Sequence, residues 1–119
     1  MGDAVAGLAG GIVRDPDAKP QPAPRGAVHS ADIEYAMGNL ATNPVFAWTA
    51  EDHAVSEMMQ ACYANFVQTG DPNGEGVPPW PAANGSGEVP VMRWDVESGA
   101  EPERNRERYL FQDRRNQTT

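Results

Sequence analysis

The chain has 119 residues, 39% of them apolar, with 12 glycines and 11 prolines, which is room for at most one small, turn-rich domain. Its net charge of −8 and isoelectric point near 4.5 argue against a nucleic-acid partner and against an anionic membrane surface, both of which need a cationic face. A single cysteine, Cys62, excludes an internal disulfide and a cysteine-based zinc site, and says nothing of the compartment.

Residues 1–25 read as a flexible segment. It opens on a Gly/Ala stretch with no basic leader and too short an apolar run for a signal peptide. No apolar run in the chain approaches the roughly 18 residues of a membrane span. Such a start fits a cytoplasmic chain or one that lacks its true beginning; the motifs below favour the second, and the compartment is not readable. Pro20, Pro22 and Pro24 then alternate with other residues, which blocks helix and favours extended backbone.

Between Ser30 and Leu40 the spacing of Ile33, Ala36, Met37 and Leu40 predicts a short helix with Ser30 as its N-cap, shortened by Gly38-Asn39. Ala50 to Gln68 predicts the strongest element. Thr49 and Asp52 have capping-box spacing, and Glu51 and Asp52 suit the positive end of the helix dipole. Val55, Met58, Met59, Cys62, Phe66 and Val67 form one apolar stripe, and Gly70 with Pro72 supplies the stop. Asp71 to Pro81 is a turn-rich loop that carries Trp80. Val91 to Val96 alternates, with Met92, Trp94 and Val96 on one side, which predicts a half-exposed strand. A last helix is predicted from Pro102, docked by Tyr109, Leu110 and Phe111, with a frayed polar tail after Asp113.

These elements do not close on themselves. The strand has no predicted partner, and the stripe of the long helix faces nothing of comparable size. The expectation is a piece of something larger, or a chain that folds with a partner.

The chemistry concentrates around His29. An imidazole held in a turn before a short helix can shuttle a proton near neutral pH, although taken without its neighbours His29 is as ordinary as any surface histidine. Its neighbours are Gly26-Ala27-Val28-His29-Ser30-Ala31-Asp32-Ile33-Glu34-Tyr35. This stretch resembles the segment around the catalytic histidine of type-B carboxylesterases, para-nitrobenzyl esterases among them, where the usual wording is Gly-Ala-x-His-Gly-x-Glu-Ile-Pro-Tyr-Val-Phe-Gly-Asn. Gly26, Ala27, His29, Ile33, Tyr35, Gly38 and Asn39 match, and Asp32 stands where Glu is usual. Ser30 replaces Gly, Glu34 replaces Pro, and Ala36-Met37 replace Val-Phe.

The resemblance continues in order downstream. Trp48-Thr49-Ala50-Glu51-Asp52, Ser56 and Met59-Gln60 are similar to the family's approach to its late helix. Ala64-Asn65-Phe66-Val67-Gln68-Thr69-Gly70-Asp71-Pro72-Asn73-Gly74, then Val77-Pro78-Pro79-Trp80-Pro81, are similar to the end of that helix and the loop after it. Trp94-Asp95-Val96, Ala100-Glu101-Pro102 and Arg108-Tyr109-Leu110-Phe111 are similar to the C-terminus of a bacterial subgroup.

The resemblance implies an α/β fold class: the C-terminal segment of an α/β-hydrolase, mostly helix and loop with at most one or two strands. Residues 1–25 would be the flexible segment and residues 26–115 the C-terminal part of the esterase domain. In such enzymes the triad runs Ser, then Asp or Glu, then His along the chain. His29 is accordingly the expected catalytic residue. No Gly-x-Ser-x-Gly elbow surrounds Ser30, Ser56, Ser86 or Ser98, and no His-Gly-Gly-Gly segment for an oxyanion hole is present.

Other groupings have plainer readings. His29, Asp32, Glu34 and His53 make no expected metal site, because His53 falls on the polar side of the long helix. No cofactor is implied. Asp32 and Glu34 read as scaffold carboxylates, with a direct catalytic role as the alternative. Cys62 reads as a buried thiol, Trp80 and Trp94 as wedges between prolines and core, and the arginines between Arg104 and Arg115 as a solvated face. The expected function is part of a serine carboxylesterase acting on small-molecule carboxylic esters, with the chain inactive alone. Its expected partner is the missing N-terminal part of the hydrolase. The alternative is a non-catalytic remnant or interaction module derived from such an enzyme. A coding frame that continues upstream of Met1 into a Gly-x-Ser-x-Gly elbow separates the two.

Overall fold

The computed structural model describes residues 29–43, 46, 48–85 and 87–117. The flexible segment expected over residues 1–25, its boundary, and Gly26 to Val28 of the histidine motif lie outside the described residues. In chain order the elements are α1 (Ile33–Ala36), a 3-10 turn (Leu40–Thr42), α2 (Ala50–Thr69), β1 (Pro90–Arg93), β2 (Gly99–Pro102) and α3 (Arg106–Gln117).

α2 forms for the reasons its sequence implies. Thr49 stays extended, its hydroxyl accepts from the Asp52 N–H, and the Asp52 carboxylate accepts from the Thr49 N–H, which closes a capping box. At the other end Gly70 takes φ 79° and its N–H returns to the Phe66 carbonyl. A Cβ added at Gly70 would meet no atom within 4 Å, so glycine is favoured here by backbone conformation and not by space.

The core sits along one face of α2. Val55, Met59 and Cys62 are buried against Tyr35 of α1, Leu40 and Trp94, with Trp48, Trp80 and Met92 packed at its edge. Burying a Val or Met side chain fully contributes about 1.5–3 kcal/mol. The stripe therefore has a partner within the chain along its first half. Its second half has none among the described residues: Phe66 is 57% and Val67 84% exposed.

Four expectations are corrected. Ser30 is not the helix cap: its left-handed φ of 64° puts it in the turn before the helix, and the N-cap is Asp32, which makes no side-chain cap bond. The 30–40 stretch splits into α1 and the 3-10 turn, since Gly38 at φ 65° bends the chain between them. The strand is paired: β1 and β2 form an antiparallel hairpin, with Pro90 opposite Pro102 and Arg93 opposite Gly99. The alternation stops at Trp94, because residues 95–98 turn back and leave Val96 exposed. The hairpin is tied by Arg93, which reaches Asp95 at 2.8 Å, Glu101 at 3.4 Å and the Glu97 carbonyl at 2.9 Å. Finally, the last helix starts at Arg106 and extends to Gln117, and no residue on it is buried. Tyr109 and Phe111 do not dock; they are more than half exposed.

Candidate functional site

His29 lies exposed in a turn that leads straight into α1. The Ile33 N–H closes that turn on the Ser30 carbonyl at 3.3 Å. Ser30 holds a positive φ that glycine adopts freely and other residues adopt at a cost of roughly 1–2 kcal/mol. This is the position at which the similar motif carries glycine.

What holds the turn is the residue six positions beyond His29. Tyr35 is 1% exposed and is held at two points by α2. Its hydroxyl donates to Asp52 Oδ1 at 2.8 Å, and its carbonyl accepts from Ser56 Oγ at 2.8 Å. Asp52 and Ser56 are one helical turn apart, so both bonds come from one face of α2. Asp52 is wholly buried, and its other oxygen accepts from the N–H and the hydroxyl of Thr49 at 2.7 and 2.9 Å. A buried carboxylate so bonded is satisfied; stripped of one donor it would cost about 1–3 kcal/mol or more. Burial first, then the hydrogen bond to Asp52 and the charges of Asp52 and Glu34, push the Tyr35 phenol far above its ordinary value. The Tyr35 phenol therefore keeps its proton and donates throughout the neutral range.

A second tie runs along the outer side. Glu34 accepts from Asn43 Nδ2 at 2.8 Å, and the Asn43 carbonyl accepts from Trp48 Nε1 at 2.9 Å. Trp48 in turn meets the Tyr35 ring edge-on at 5.6 Å. Glu34 thus fastens the loop, as a scaffold carboxylate does, whereas Asp32 makes no side-chain cap bond. Gln60 donates to Ser56 at 3.2 Å and lies against Gly38, where a Cβ would run into its amide.

Of the residues singled out in the sequence, His29, Asp32 and Glu34 share the turn and α1, while His53 is exposed on the first turn of α2. Among the described residues no group of three His, Cys, Asp or Glu side chains is placed to hold a metal ion. Cys62 is buried, and burial pushes its thiol upward. Trp94 is buried and Trp80 half-buried, edge to face at 5.9 Å. A groove of about 690 Å³ lies beside the end of α2, walled by Tyr63, Phe66, Trp80 and Pro81, and includes neither His29 nor the Tyr35 ties. The residues that sequence reasoning undervalues are Asp52 and Ser56. Both sit among Val55 and Met59 on the buried face, and two polar residues inside an apolar stripe are the signal that could have found them.

Comparison with known proteins decides the family. The chain matches the carboxylesterase family over residues 13–112. It belongs to the carboxylesterase family. It is 45% identical over 60 residues to carboxylesterase 5A of Canis lupus familiaris, an alignment that covers 47% of this chain and 10% of that protein. In three dimensions it is similar to a PNB esterase, with a TM-score of 0.63 and 25% identity over 76% of this chain and 19% of that one. A carboxylesterase of Geobacillus stearothermophilus superposes with a TM-score of 0.58 and 27% identity, covering 76% of this chain and 19% of the other. The chain thus spans about a tenth of the curated relatives and a fifth of the solved ones. Its fold is a portion of an α/β-hydrolase, mostly helix and loop with one two-stranded hairpin among the described residues.

Proposed function

We infer that this carboxylesterase chain supplies the histidine of a serine esterase acting on carboxylic esters. The observation that carries the reading is the Gly26-Ala27-Val28-His29 wording within a family match that runs over residues 13–112. His29 takes the proton of a serine hydroxyl as that oxygen attacks the ester carbonyl. It gives the proton to the departing alcohol, leaving an acyl-enzyme, and then activates the water that releases the acid. The serine, the acid that orients the imidazole and the amides that hold the oxyanion come from outside these residues. His29 suits the role because it is exposed, at a turn, and followed by a helix that is pinned to the core.

The test joins this chain to the serine-bearing part of a family member and compares His29→Ala with His53→Ala. Loss of a triad histidine lowers kcat on the order of 10⁴-fold or more with folding intact. His53→Ala stays within a few-fold of the parent, since exposed substitutions shift stability by about 0.5 kcal/mol or less. Near-parental turnover by His29→Ala would overturn the reading.

A further inference from the structure

We propose that Tyr35 and Ser56, with Asp52 behind them, are positioning residues for the His29 imidazole, acting through the two-point attachment of α1 to α2. The proposal rests on the reading of His29 as the proton shuttle and goes beyond it, because it assigns a role to three residues that need not touch substrate.

The geometry runs in one direction. α1 has four residues, too few to hold its own orientation by helical bonds. Its N-cap makes no side-chain cap bond, and among the described residues the turn before it is closed by one long backbone bond, from the Ile33 N–H to the Ser30 carbonyl. Among the described residues, these local bonds are too weak to set where His29 points. Tyr35 does so from the other end. Its hydroxyl and its carbonyl lie on opposite ends of the residue, and each is held at 2.8 Å by α2, which is itself fixed by the capping box and the core. Two bonds from one rigid helix face fix the rotation as well as the position of the residue. The turn that starts at His29 inherits both.

Asp52 serves two ends at once. One carboxylate oxygen takes the Tyr35 hydroxyl, and the other takes the backbone and hydroxyl of Thr49. The start of α2 and the orientation of α1 are thereby set by one buried group. A misplaced general base loses rate steeply, since proton transfer needs hydrogen-bond distance to the nucleophile, whereas substrate affinity depends on other walls. The expected signature is a fall in kcat with KM unchanged.

The experiment uses this chain joined to the serine-bearing part of a family member. It counts folded sites by stoichiometric reaction of the serine with an organophosphate, so that misfolded protein does not enter the rate. Tyr35→Phe is expected to lower kcat per titrated site about tenfold with KM within twofold of the parent. Ser56→Ala, which frees the Tyr35 carbonyl and leaves the Asp52 bonds intact, is expected to act in the same direction. It also serves as the readout if Tyr35→Phe yields no titratable sites. On the 119-residue chain itself, amide NMR relaxation should show residues 29–32 becoming more mobile in both variants while residues 55–67 stay unchanged. Parental kcat per site in both variants, with His29→Ala at background, would overturn the positioning role and leave His29 standing. Full turnover by His29→Ala would overturn the reading of His29 and this proposal with it.

Discussion

Ser30 carries the sharpest conflict between a residue and its backbone. Its φ of 64° costs a side chain with a Cβ what glycine does not pay, and the family motif has glycine at this position. Ser30→Gly should therefore stabilise the chain by about 0.5–1 kcal/mol, the backbone relief less the extra freedom glycine has when unfolded. A urea titration checks this, and a loss of stability would mean that the hydroxyl matters more than the backbone. Asp71 gives a second prediction, one of pH. The backbone and then the side chain of Asn73 donate to its carboxylate and hold it below its ordinary 3.8. A folded-state value below the unfolded one stabilises the fold above pH 3.8, and this contribution disappears as pH falls through the folded value. Asp71→Asn should make the acid limb of the stability profile shallower below about pH 4. No change there would show that the turn forms without the charge.

At the level of elements, legibility in the sequence depends on how local the causes are. α2 can be read almost to the residue, because cap, apolar period and glycine stop all lie within its own length. The hairpin is half legible. Val91 to Trp94 alternates, but Gly99-Ala100-Glu101-Pro102 has no strand character of its own and is extended because β1 pairs with it. Ser30 misleads because its propensity as a cap is local, while its positive φ is set by a turn whose motif resemblance points to glycine. The tie from Tyr35 to Asp52 spans 17 positions and has no local signature, so the histidine proposed as the proton shuttle is readable by resemblance and the tie behind it is not. These differences carry a prediction. α2 should hold the slowest-exchanging amides, between Val55 and Cys62, where the core lies. α3, with no buried residue, should exchange first among the helices. Protection in α3 equal to that of α2 would require a contact surface that the described residues do not show.

On the scale of the whole molecule, the described residues have a core of six buried apolar side chains and leave Phe66, Val67, Tyr109 and Phe111 open. The chain shares a family with proteins several times its length. No described helix is long and apolar enough to cross a membrane. The proposed esterase mechanism divides its parts: the proton shuttle at His29 is here, while no serine in this sequence has the flanking glycines of a nucleophile elbow. Such a chain should show the chemistry of an imidazole and not that of an acylating serine. The most direct measurement is turnover of p-nitrophenyl acetate by the purified chain against free imidazole at equal concentration. The account predicts a linear dependence on ester concentration, a rate comparable to imidazole, and no inhibition by an organophosphate. Saturable turnover well above imidazole, abolished by that serine-directed reagent, would contradict it.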